Sequence, residues 1–134
     1  MKSVPKRNQL IQTENYLKAR KDIAFAYLFG SVAENRATHL SDIDIAIYVT
    51  EGKITDVRFQ ILGDLMDILK TDKLDLVILN TAPLTLKMKI LQTRRILADN
   101  VPHVRHTFES HTMRTYFDFS KIENRILEER YLHG

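Results

Sequence analysis

From position 42 the chain reads Asp42, Ile43, Asp44, Ile45, Ala46, Ile47, Tyr48, Val49, an alternation that a β-strand turns into two chemically distinct faces. Ile43, Ile45, Ile47 and Val49 form a face that must be buried. The opposite face begins with two carboxylates and continues through Ala46 and Tyr48. Upstream, Ile23-Ala24-Phe25-Ala26-Tyr27-Leu28-Phe29 is apolar throughout, which predicts a second strand covered on both sides and ending at Gly30. Ser31 to Glu34 is expected to open a short helix, closed by Asn35 because asparagine tolerates the left-handed conformation. Leu74-Asp75-Leu76-Val77-Ile78-Leu79 predicts a third strand.

Helical spacing appears between these runs. Asn8 to Arg20 carries Leu10, Ile11 and Leu17, and Ile54 to Leu69 carries Val57, Ile61, Leu62, Leu65, Ile68 and Leu69 on one face. Beyond Pro83 the pattern predicts a helix over Leu84 to Leu97, then from Pro102 a helical stretch with one or two breaks. Helices and strands therefore interleave, the pattern of an α/β or α+β chain. With 134 residues and no internal repeat, one domain over 1–134 is expected, with a core over about 8–100 and a C-terminal helical extension over about 101–134.

Composition narrows the chemistry. Cysteine is absent, which removes disulfides, thiolate metal sites and cysteine nucleophiles and fits a reducing cytoplasm. The longest apolar run, residues 23–29, is far too short to span a bilayer, and no apolar segment follows the basic start, so a soluble cytoplasmic protein is expected. Net charge is only +3, but residues 23–80 carry nine acidic and five basic groups between two basic flanks. An acidic centre suits divalent cations.

Three features converge on one site. Gly30-Ser31 at a strand-to-helix turn offers backbone N–H groups and a hydroxyl to a phosphate. Asp42 and Asp44, two residues apart on a strand, place their Cα atoms about 6.5 Å apart on one face, near enough to share metal ions. Asp75 interrupts an otherwise apolar strand, and a carboxylate buried there would need a cation, a partner or a hydrogen bond. Taken singly, each has a simpler reading: Asp42 as a strand opener, Asp44 as a solvated side chain, Ser31 as a helix cap. Their joint order describes a metal-bound nucleoside triphosphate.

Other candidates are weaker. His103 and His106 share a helix face at a spacing that could bind a transition metal, but no third ligand is evident, and exposed histidines are the expected reading. The remaining histidines, His39, His111 and His133, form no pattern. Arg94 and Arg95 are expected on a solvated face. Tyr116-Phe117-Asp118-Phe119 gathers aromatic surface that suits either core or a partner interface, the second slightly favoured.

Phe29-Gly30-Ser31, ten intervening residues, Asp42-Ile43-Asp44 and the later Asp75 resemble the polymerase-beta-type nucleotidyltransferases, and the small size resembles the minimal nucleotidyltransferases (MNT). The stretch holding Arg105, Phe108, Glu109, Tyr116 and Asp118 also resembles MNT antitoxin tails. The resemblance implies a nucleotidyltransferase fold, a small mixed β-sheet flanked by helices with C-terminal helices. It implies Gly30 and Ser31 as nucleotide contacts, and Asp42, Asp44 and Asp75 as catalytic ligands of two Mg²⁺ ions, with ATP as co-substrate. It further implies an antitoxin that transfers AMP to a tyrosine hydroxyl of a cognate HEPN RNase toxin, in a stable hetero-oligomer. Direct nucleic-acid binding is not expected. Two residues depart from the pattern: Glu34 and Asn35 stand where many relatives carry arginine and glycine, leaving Arg36 as the nearby cation. That departure keeps open an antitoxin acting by binding alone; a transferase acting on a small molecule or an RNA end is a separate alternative.

Overall fold

A computed structural model describes residues 4–38 and 41–132. The elements run α1 (Arg7–Lys18), β1 (Ile23–Phe29), α2 (Gly30–Ala33), β2 (Ile43–Val49), α3 (Ile54–Leu69), β3 (Leu74–Ile78), α4 (Leu84–Thr93), β4 (Arg95–Asp99) and α5 (Pro102–Leu132). The four strands form one mixed sheet in the order β3-β2-β1-β4. β1 pairs antiparallel with β2 and β4, whereas β2 and β3 run parallel, with α3 as the crossover that a parallel pair requires.

Both inner strands are sandwiched. Ile43, Ile45, Ile47 and Val49 of β2 join Ile23, Ala26 and Leu28 of β1 in a cluster closed by Leu17 of α1 and by Val57, Ile61, Leu65 and Leu69 of α3. On the other face Ala24, Phe25, Tyr27, Phe29 and Ala46 pack against Ile90 and Leu91 of α4 and against Val104 and Phe108 of α5. Ala24 and Phe25 reach the same cluster because the β1–β2 register shifts between Ile23 and Phe25. With helices covering both faces and a strand on either side, every residue of β1 is buried.

Three expectations need correction. The helix expected over Leu84–Leu97 ends at Thr93, where Arg94 turns extended (φ −61°, ψ 142°), and Arg95–Asp99 forms β4 instead. The cause is tertiary: without β4 the backbone of β1 would be left as an unpaired edge inside the body, and nothing in Arg95-Ile96-Leu97-Ala98 announces that demand locally. The C-terminal region holds one continuous helix of 31 residues rather than several, consistent with the absence of glycine and proline between positions 103 and 132. α1 stops at Lys18, two residues short of the expected Arg20, whose guanidinium instead binds Asp22 and the Gln60 side chain.

The first half of α5 is fixed by a partly buried polar network. Glu109 accepts from the Tyr27 hydroxyl, from Arg94 Nε at 3.0 Å and from Arg105 Nη1 at 3.0 Å, and Arg105 also pairs with Asp99 of β4 at 3.0 Å. Burial and the Glu109 carboxylate push the Tyr27 phenol well above its ordinary range, so it stays protonated and donates. Arg94 is thus a structural cation, not the solvated residue expected, while Arg95 is exposed. Past Thr112 the helix leaves the body, and Phe117, Phe119, Ile122 and Ile126 are exposed. Removing Glu109 leaves the buried Tyr27 phenol without its acceptor and takes one carboxylate partner from each of Arg94 and Arg105. Glu109→Ala is therefore expected to cost about 3 kcal/mol in denaturant unfolding, against about 0.5 kcal/mol or less for exposed Glu123→Ala.

Candidate active site

The site is set by strand register. Phe29 lies opposite Asp44 across the β1–β2 pair, and Asp44 lies opposite Asp75 across the parallel β2–β3 pair. In-register parallel partners point to the same face, so the two carboxylates stand side by side at one end of the sheet. Gly30 follows Phe29 directly and adopts φ +76°. A Cβ at this position would lie 2.4 Å from Asp44 Oδ2, so both the backbone conformation and the approach of the carboxylate demand glycine. α2 begins here, runs for four residues, and is closed by Asn35 at φ +58°, the left-handed terminator expected.

The carboxylates differ in environment. Asp44 is half-buried, whereas Asp75 is exposed on edge strand β3. The expectation of a buried Asp75 is therefore corrected: of the β3 residues, Leu76 and Ile78 are buried, Leu74 and Val77 partly so, and Asp75 alone is exposed. Asp42 is exposed and precedes the first residue of β2. Its charge nevertheless reaches Asp44, whose pKa is raised from 3.8 to about 6 by burial first, then by the negative charges of Asp75 and Asp42, against the opposing Lys89 ammonium.

Asp44 and Asp75, though not Asp42, border a cleft of about 560 Å³. Gly30 and Ser31 form one wall, Asp44 and Asp75 another, and α4 contributes Lys89, Gln92 and Thr93. Sequence reasoning missed the α4 residues, although Leu86, Lys89 and Thr93, at successive helical turns, share the cleft-facing side. Thr93 Oγ1 accepts the Gly30 N–H at 3.0 Å, so the glycine amide expected for a phosphate is already engaged, leaving the Ser31 hydroxyl exposed to the cleft. Glu34 and Arg36 also line it and pair with each other.

Carboxylates whose charges act on one another, as those of Asp75 and Asp42 do on Asp44, are the donor set a hard cation neutralises, so Asp42, Asp44 and Asp75 fit Mg²⁺ in ligand chemistry. Among the described residues, however, no three such groups converge into a preformed cage. The histidine alternative gains nothing: His103 and His106 are exposed on α5, and His106 Nε2 lies 2.9 Å from the Arg105 guanidinium. His103 instead borders a second cleft of about 300 Å³ with Tyr48, Lys87, Phe108 and His111, away from the carboxylates. His39 and His133 lie outside the described residues.

A raised carboxylate pKa has a defined consequence for stability. The folded chain holds the Asp44 proton more tightly than the unfolded chain, so this contribution is fully present below pH 3.8 and is lost as pH rises through about 6. In chelator, Asp44→Asn is expected to raise the melting temperature at about pH 8, with the difference from wild type closing at about pH 3.5. Calorimetry across that range checks it.

Residues 12–102 match the family described as polymerase beta, nucleotidyltransferase. No curated protein matches the chain. Among solved structures, a toxin–antitoxin with AMP-PNP is similar at 21% identity and a TM-score of 0.70, covering 92% of this chain and 98% of the other. A tri-AMPylated Shewanella oneidensis HEPN toxin in complex with MNT antitoxin gives 21% identity and a TM-score of 0.64, covering 90% and 97%. A MntA–HepT toxin–antitoxin gives 22% identity and a TM-score of 0.62, covering 88% and 96%. At these identities the likeness concerns the fold, including the long C-terminal helix. On the family match, covering more than half of its length, the chain belongs to the polymerase beta nucleotidyltransferases.

Proposed function

We propose that the protein is an antitoxin that transfers AMP from ATP to a tyrosine hydroxyl of a cognate HEPN toxin. The observation that carries this reading is the placement of Asp44 between Gly30-Ser31 and Asp75 by two strand pairings. The similarity to chains from MNT–HEPN complexes supports the partner class.

Within this reading each residue has one task. Ser31 donates its hydroxyl to the β- or γ-phosphate, and Gly30 keeps the turn close to Asp44. Asp42 and Asp44 would hold Mg²⁺ with Asp75, and the ions would supply counter-charge for the phosphoryl oxygens. Asp75, exposed at the sheet edge, faces the side from which a large acceptor can approach and takes the tyrosine proton as the phenolic oxygen bonds the α-phosphorus and pyrophosphate leaves. Asp44, with its pKa at about 6, is mostly ionised at neutral pH and gains further from a bound cation.

A second reading has its own observation. Arg36, the local cation expected to replace the missing arginine, is engaged by Glu34 inside the cleft, which favours a protein that neutralises its partner by binding alone. The two are separated by incubating the protein, Mg²⁺ and α-labelled ATP with the product of the neighbouring gene. Label is expected on a toxin tyrosine, and Asp44→Asn is expected to reduce transfer at least about a thousandfold while complex formation persists. Absence of label with folded wild-type protein, or protection of cells by an Asp42→Asn, Asp44→Asn double variant, would favour binding alone.

A further inference from the structure

The cleft is lined by two cations, and only one is spoken for. Arg36 pairs with Glu34. Lys89 is exposed and, among the described residues, has no ion pair within 4.0 Å, yet its charge is felt by Asp44 across the cleft. Its position is fixed although its tip is free. Ile90 and Leu91, its neighbours on α4, are buried against the sheet, and Thr93, one turn on, receives the Gly30 N–H at 3.0 Å. The helix that carries Lys89 is therefore latched directly to the Gly30-Ser31 turn.

A nucleoside triphosphate together with Asp42, Asp44 and Asp75 carries more negative charge than two bound magnesium ions neutralise, and Ser31 contributes a dipole but no charge. We infer that Lys89 is the residue that clamps the triphosphate tail, so that the cation missing beside the glycine turn is supplied from α4. This assignment rests on the nucleotidyltransferase reading of the same cleft. It also gives Thr93 a purpose as a positioning residue, since its hydrogen bond holds α4 and the phosphate turn at one separation. A lysine is suited to this role as a compact, mobile charge that follows the tail from substrate to leaving pyrophosphate.

The consequence is discrimination by phosphate number. A clamp on the β- and γ-phosphates contributes to binding of a triphosphate and nothing to binding of a monophosphate. The test compares wild type, Lys89→Met and Lys89→Arg for binding of Mg²⁺·AMP-PNP by calorimetry and of AMP by competition, with the KM and kcat of AMP transfer as a second readout. Lys89→Met is expected to weaken AMP-PNP at least about tenfold while leaving AMP unchanged, and Lys89→Arg to restore most of the loss. KM for ATP should rise by more than kcat falls. Equal AMP-PNP affinity in Lys89→Met and wild type would overturn the assignment, as would parallel loss of AMP and AMP-PNP, the sign of a disturbed cleft. Tighter Mg²⁺ binding with unaltered nucleotide affinity would also overturn it, reducing Lys89 to a counter-charge for Asp44. If wild type itself bound no AMP-PNP, the transferase reading would fall with it.

Discussion

Asp44 sits at the point where two strand pairings must both be in register. β1 fixes it opposite Phe29 and so against Gly30, and β2–β3 pairing fixes it beside Asp75. A slip of one residue in either pairing would turn the carboxylate into the Ile43–Ile47 core and an isoleucine into the cleft. The apolar face of β2 therefore secures the polar one. Burying four branched side chains against α1 and α3 makes any other register costly, and the same register assembles the site. The clearance at Gly30, where a methyl group would lie 2.4 Å from Asp44 Oδ2, shows how little freedom remains.

Much of this was legible because the signals were local. The limits of β1 and α3 coincide with the apolar run and the helical periodicity that predicted them, and Asn35 adopts the left-handed conformation its side chain allows. What the chain did not disclose depends on distant partners. β4 is a strand because β1 lacks a neighbour, and Arg94 is structural because Glu109 arrives from α5. Asp75 read as buried because its neighbours are apolar, but an edge strand leaves that end open. Lys89 and Thr93 carried no motif at all; only the packing of α4 on the sheet turns them to the cleft.

The same contrast runs through α5. Up to Thr112 its inner face is held by Tyr27, Arg94, Asp99 and the aromatic group of Phe25, Tyr48 and Phe108. Beyond that point Phe119, Ile122 and Ile126 extend an apolar stripe with no sheet beneath it. A polar joint thus anchors the first half of a helix whose second half is exposed.

The central claim is that the edge formed by Gly30-Ser31, Asp44 and Asp75 receives a metal-bound nucleotide. Paramagnetic broadening of backbone amide signals by Mn²⁺ in the presence of AMP-PNP locates the ion without relying on turnover. The account predicts broadening concentrated at residues 30–32, 42–45 and 74–76 and abolished by Asp44→Asn. Broadening centred on His103–His111, or unchanged in that variant, would contradict it.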